Sequence, residues 1–206
     1  MYVKSSTEQI YHQFVQRLNK NRPLVVGIDG LGGAGKSTFS YELKDAFVNY
    51  NCSVHTIHLD HHIVERKNRY QTIYEEWYEY YYLQWDVIRI VNDLLKPLQK
   101  GLSPLLPFYH PSTDSISSEI VKVCQNSIVL IEGIFLQREE WRAFFDIVIF
   151  LDCPEEVRHD RVLKRDTYLG DYETRLKKYQ ERYWLGEKHY MENVDPYRLA
   201  DVIVYT

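Results

Sequence analysis

The sequence predicts an α/β fold in which a parallel β-sheet lies between layers of helix. Three observations carry that expectation. Short, continuous apolar runs at Leu24–Ile28, Ser127–Ile131 and Ile147–Leu151 read as strands buried on both faces. Segments with helical periodicity separate them, so strands and helices alternate. With 206 residues, of which 45% are apolar or aromatic, the chain can build one domain around a packed core.

The elements follow in order. Ser5 and Ser6 stand three residues before Glu8 and Gln9, a capping-box spacing, and Ile10, Tyr11, Phe14, Val15 and Leu18 then recur at helical intervals. Residues 1–22 are therefore expected to form an amphipathic N-terminal helix that Pro23 ends. A glycine-rich turn follows the first strand, then a helix over Ser37–Tyr50 and a second strand over Ser53–Leu59. Tyr74–Lys100 reads as one long helix stopped by Pro97 and Gly101. Gly101–Ser118, rich in proline and serine, reads as loop with at most a short strand at Leu105-Leu106. Pro154–Tyr168 and Tyr172–Tyr190 are expected helices, and Asp201–Tyr205 a last strand. The expected organisation is one domain over 1–206, with an acceptor-binding insertion at 60–118 and a lid with its following helix at 154–190.

Composition narrows the function. Lys plus Arg is 25 against 29 Asp plus Glu, a net charge of -4, which argues against a nucleic-acid-binding protein. No run approaches the roughly 20 apolar residues of a membrane span, and the N-terminus has no signal-peptide pattern. Cys52, Cys124 and Cys153 form no metal or disulfide spacing, so they are expected to be buried small apolar residues in a reducing, cytoplasmic setting. The oligomeric state is left open, and a homo-oligomer is compatible with the sequence.

The strongest signal is Gly30-Leu31-Gly32-Gly33-Ala34-Gly35-Lys36-Ser37, followed by Thr38. It matches G-x-x-x-x-G-K-[ST] and sits between an expected strand and an expected helix, the context this motif requires. The glycines let backbone N–H groups close on phosphate oxygens, and the helix N-terminus adds positive potential. Lys36 supplies charge to the β- and γ-phosphates, and the Ser37 hydroxyl can ligate Mg²⁺.

Three classes of nucleotide-binding protein compete. A GTPase switch should carry N-K-x-D and D-x-x-G; Asn19-Lys20-Asn21-Arg22 lacks the Asp and Asp60-His61-His62-Ile63 lacks the Gly. A motor ATPase usually has a larger body. A small-molecule kinase has positive support. Asp60 ends the second strand, at the sheet edge where α/β proteins bind ligands, and can take an acceptor proton, hold Mg²⁺ or simply cap a turn. His61 and His62 are expected at the pocket mouth. Glu132 ends another apolar strand and reads as a Mg²⁺ residue or a salt-bridged structural acid. Arg158, Arg161 and Arg165 share one helical face, either a solvated stripe or a lid that stabilises charge in flight and excludes water.

With these residues in place, the sequence resembles the uridine kinase-like family of P-loop small-molecule kinases. The resemblance rests on VVGIDGLGGAGKST, Asp60 in HLDHH, Pro107-Phe108-Tyr109, IVLIEGIFL around Glu132, and RVLKRD around Arg161, Arg165 and Asp166, in the family's order. It implies a three-layer P-loop NTPase-type fold with a five-stranded parallel sheet and a helical lid. It also implies ATP with Mg²⁺ as donor and a small-molecule hydroxyl as acceptor, most readily that of a nucleoside or riboside, with pantothenate as an alternative. Asp60 corresponds to the family's base, Lys36, Ser37 and Glu132 to its phosphate and metal residues, Arg161 and Arg165 to its lid, and Tyr109 to its acceptor site. Asp86 is a loose counterpart of its sugar-binding Asp. His61 and His62 replace the residues that usually follow the base, and His110–Ile116 lacks the usual base-reading His and Arg.

Trp77, Tyr78, Tyr80, Tyr81, Tyr82 and Trp85 crowd one expected helix; Trp77, Tyr81 and Trp85 stand four residues apart, with Tyr78 and Tyr82 widening the stripe. Such a stripe either packs in the core or at a dimer contact, or forms a wall for a planar acceptor, which Tyr70 and Tyr109 could join.

Overall fold

Five parallel strands form the centre of the molecule: β1 (Leu24–Gly30), β2 (Ser53–His58), β5 (Ser127–Glu132), β6 (Ile147–Asp152) and β7 (Val202–Tyr205), in the order β2-β5-β1-β6-β7. The structure is a computed structural model that describes residues 2–18, 20–50 and 52–206. β1 and β5 are buried along their whole length, as their unbroken apolar runs require. Alternate residues feed two cores. Val25, Val129, Val148 and Phe150 pack on one face against Trp85, Leu94, Phe135 and Trp141. Leu24, Val26, Leu130 and Ile149 pack on the other against Ile10, Phe14, Phe39 and Leu43. Helices α1 (Tyr2–Arg17) and α2 (Lys36–Ala46) cover that second face. Among the described residues, no helix is long and apolar enough to cross a membrane.

Four expectations are corrected. α1 starts upstream of Ser5 and Ser6, which lie inside it and cap nothing. The helix expected over Tyr74–Lys100 is two: α3 (Glu76–Tyr82), then a second running over 87–99 through a π-helical turn at Val91–Leu95. The chain breaks between them because Trp85 turns into the core, its indole N–H bonded to the Leu59 carbonyl at 3.0 Å. Asp86 caps the new helix by accepting the Arg89 N–H at 2.9 Å.

The expected loop over Gly101–Ser118 is a hairpin of β3 (Leu105–His110) and β4 (Ser115–Ile120). Pro107 masked it. A proline weakens a strand prediction, yet it is tolerated at a sheet edge, and here the Pro107 carbonyl accepts from His62 at 2.6 Å. Of the cysteines, Cys153 is buried, Cys52 half-buried and Cys124 exposed.

The C-terminal part supplies one wall of a cleft. α4 (Glu155–Arg165) leads through a short 3₁₀ turn at Thr167–Leu169 into α5 (Tyr172–Lys178). The helix continues through a π-helical turn at Tyr179–Tyr183 into α6 (Trp184–Val194).

Candidate active site

The C-terminal ends of β1, β2 and β5 open into a cleft of about 1160 Å³. At its base lies the loop after β1. Gly33 adopts φ 80°, and a Cβ there would stand 2.7 Å from the Arg158 carbonyl oxygen, so only glycine fits. Residues Gly32 to Thr38 line the cleft. Gly30 and Leu31 do not; they lie behind it, and their carbonyls accept from Lys36 Nζ at 2.8 and 3.1 Å. The loop thus holds the ammonium over its own concave face.

Two acids meet this loop from neighbouring strands. Glu132, the last residue of β5, accepts from the Ser37 hydroxyl at 3.1 Å and from His58 Nδ1 at 2.6 Å. Burial pushes the Glu132 carboxyl up. The His58 hydrogen bond and the Lys36 charge outweigh that and hold it below its usual value, and the same hydrogen bond raises His58. Asp60 lies in the single 3₁₀ turn after β2 (Leu59–His62). Asp60 is exposed and lines the cleft. Desolvation by the surrounding protein raises its pKa; Lys36 opposes the rise and Glu132 adds to it.

The expected arginine stripe divides by role. Arg158 is buried and belongs to no lid: its guanidinium bonds the Cys153 carbonyl at 3.2 Å, the Gly32 carbonyl at 3.2 Å and Glu187 at 2.9 Å. Glu187, from α6, in turn accepts the Gly32 N–H at 2.8 Å. This clamp fixes the loop from two sides. Arg161 reaches the Gly33 carbonyl at 3.1 Å, and Arg165 lines the cleft while paired with Asp166 at 2.6 Å. Arg158→Met should leave the Glu187 carboxylate buried without its cation, costing about 3–5 kcal/mol. A urea titration monitored by circular dichroism reads that loss, and a wild-type midpoint would contradict it.

The structure therefore brings Lys36, Ser37, Thr38, Asp60, Glu132, Arg161, Arg165 and Tyr109 to one cleft. It does not bring Asp86, which is an exposed helix cap. Nor does it bring His61 or His62: His61 is exposed beside His58 and Phe108, and His62 is buried against the Pro107 carbonyl. The Trp77–Tyr81–Trp85 stripe does not form the wall either. Tyr81 and Trp85 are core residues, and Trp77 packs on His189. The aromatic wall is made by Tyr70, Tyr80, Tyr109, Tyr168, Tyr179 and Tyr183. Sequence reasoning missed Tyr168, Tyr179 and Tyr183, and with them Glu187, His58 and Arg69. Glu187 and Arg69 line the cleft and His58 bonds Glu132 beside it, through contacts far along the chain, as in the 155-residue separation between Gly32 and Glu187.

A family model described as phosphoribulokinase/uridine kinase matches residues 25–204. The chain belongs to that family. It is 24% identical over 197 residues to a uridine kinase of Streptococcus uberis, covering 89% of this chain and 91% of the relative. It is 30% identical over 149 residues to a uridine kinase of Clostridium novyi, covering 70% and 69%. A solved chain from Bacillus stearothermophilus, described as a possible uridine kinase, superposes with a TM-score of 0.78 at 37% identity over 98% of this chain and 99% of that one. A Silicibacter chain described as a putative fructose transport system kinase shares the fold, with a TM-score of 0.74 at 18% identity, over 93% and 96%. As a member of the phosphoribulokinase/uridine kinase family, the protein is an ATP-dependent kinase, a phosphotransferase whose acceptor is a hydroxyl group of a small molecule. The five-stranded parallel sheet and its helical layers are those of P-loop kinases.

Proposed function

We propose that the protein transfers the γ-phosphoryl group of Mg²⁺-bound ATP to a hydroxyl of a nucleoside or other riboside. The observation that carries this reading is that one cleft joins the phosphate loop, Asp60 and a wall of six tyrosines. Tyrosine rings offer planar faces for a base or pyridine ring, with hydroxyls to orient it.

Mg²⁺ fits the oxygen chemistry at the loop. The Ser37 hydroxyl donates to the Glu132 carboxylate at 3.1 Å. A hydroxyl and a carboxylate together suit Mg²⁺, which takes one or two protein oxygens and fills its shell from phosphates and water. When bound, the metal neutralises phosphate charge. Ser37 and Glu132 would hold it. Lys36, Arg161 and Arg165 surround the transferring group with positive charge, and Asp60 orients the acceptor hydroxyl and takes its proton. The tyrosines and the 166–171 turn keep water away from the phosphoryl group.

ADP formation measured with and without a panel of ribosides tests the reading. Little ATP should be consumed until a riboside is added, and product should carry phosphate on its hydroxyl. Hydrolysis that continues unchanged without any acceptor would overturn it.

A further inference from the structure

β2 and β5 pair in parallel with His58 level with Glu132, each the last residue of its strand. His58 Nδ1 stands 2.6 Å from Glu132 Oε1. An ionised carboxylate has no hydrogen to give, so the imidazole carries its hydrogen on Nδ1 and donates it. The Ser37 hydroxyl donates to the same oxygen at 3.1 Å. The pair is sheltered: the His58 side chain is 20% exposed and that of Glu132 7%. The Tyr41 and His61 rings neighbour the imidazole, 5.8 and 5.4 Å away between centroids. Glu132 lines the cleft and His58 does not, so the imidazole acts on the cleft through the carboxylate.

A carboxylate oxygen has two lone-pair positions. On Oε1 both are taken, one by His58 and one by Ser37. Oε2 accepts no hydrogen bond among the described residues. Glu132 therefore offers a cation one oxygen and not two. That number discriminates between cations. Mg²⁺ demands a small octahedral shell and needs no second oxygen from the same carboxylate, whereas Ca²⁺ gathers about 6–8 oxygens and commonly holds a carboxylate by both. Without the imidazole, Ser37 alone would leave one position on Oε1 vacant, and both oxygens of Glu132 could turn to a larger cation.

We propose that His58 is a positioning residue for the metal site: by engaging one oxygen of Glu132 it fixes the carboxylate as a one-oxygen ligand and favours Mg²⁺ over Ca²⁺ at the phosphate loop. This rests on the kinase reading above, which places the metal at Ser37 and Glu132, and assigns the choice of metal to a residue outside the cleft.

Calorimetry of ADP binding tests this without turnover, with no metal, with Mg²⁺ and with Ca²⁺. In the wild type Mg²⁺ should tighten ADP binding more than Ca²⁺ does. His58→Phe keeps a ring and removes the donor. It should lose about tenfold or more of the Mg²⁺ effect, the scale on which the outer partners of metal ligands act. It should lose less of the Ca²⁺ effect, so the ratio between the two metals narrows, while metal-free ADP affinity stays the same. His58→Asn, whose amide N–H can stand where the Nδ1–H stood, should restore much of the ratio. His58→Leu carries the comparison where His58→Phe does not fold.

A purely structural role for His58 would weaken all three affinities together and leave the ratio unchanged, which overturns the proposal. So does a ratio in His58→Asn as low as in His58→Phe, or Ca²⁺ matching Mg²⁺ in the wild type. No effect of either metal on the wild type would sink the metal placement and the proposal with it. Absence of any acceptor-dependent ADP formation beside a His58-dependent metal ratio would sink the kinase reading and leave the role of His58 standing.

Discussion

Asp60→Asn should lower kcat by about 10²–10⁴-fold, the range a positioned base contributes. Asparagine keeps the size and a hydrogen-bonding oxygen but cannot take the acceptor proton. ATP affinity should stay close to wild type, because the phosphate contacts come from the loop and not from this turn. The acid side of the pH profile adds a second readout. The base works ionised, and desolvation raises the Asp60 pKa from its ordinary value despite the opposing Lys36 charge. Activity should therefore fall, as pH is lowered, at a higher pH than an unshifted aspartate would give, and Asp60→Asn should lose that limb. Wild-type turnover in Asp60→Asn would remove Asp60 from the role of base.

Lys36→Met should reduce kcat/KM for ATP by about 10²–10³-fold, the scale of removing one preorganised charge from a transferring group. The fold should survive, since the Lys36 ammonium bonds only the Gly30 and Leu31 carbonyls of its own loop. Calorimetry should show weakened binding of the triphosphate, and circular dichroism an unchanged spectrum. Loss of both together would mean that the lysine holds the loop's shape.

The readability of this site in the sequence follows chain distance. The phosphate loop is contiguous, so its glycines, Lys36 and Ser37 announce their geometry in eight consecutive residues. Asp60 and Glu132 stand out because each follows an apolar strand, and parallel pairing of β2 with β5 sets His58 beside Glu132. Arg69 and Glu187 have no such signature. One is a basic residue in RKNR and the other an acid on an ordinary helix; packing across the chain gives each its meaning. Periodicity misled at Trp85, where four-residue spacing with Tyr81 suggested one helix and burial of the indole bent the chain instead. Asp86 shows the same limit: a residue that resembled a ligand contact in sequence caps the helix that this bend begins.

The clamp formed by Gly32, Arg158 and Glu187 sets an order of events during synthesis. A nascent chain emerges N-terminus first, so the loop at residues 30–37 leaves the ribosome long before its two anchors do. Until residue 187 is out and α6 has docked, the Gly32 amide and the Arg158 side chain lack their carboxylate. Nucleotide should accordingly protect the finished chain from proteolysis far better than it protects ribosome-stalled chains that stop short of that glutamate.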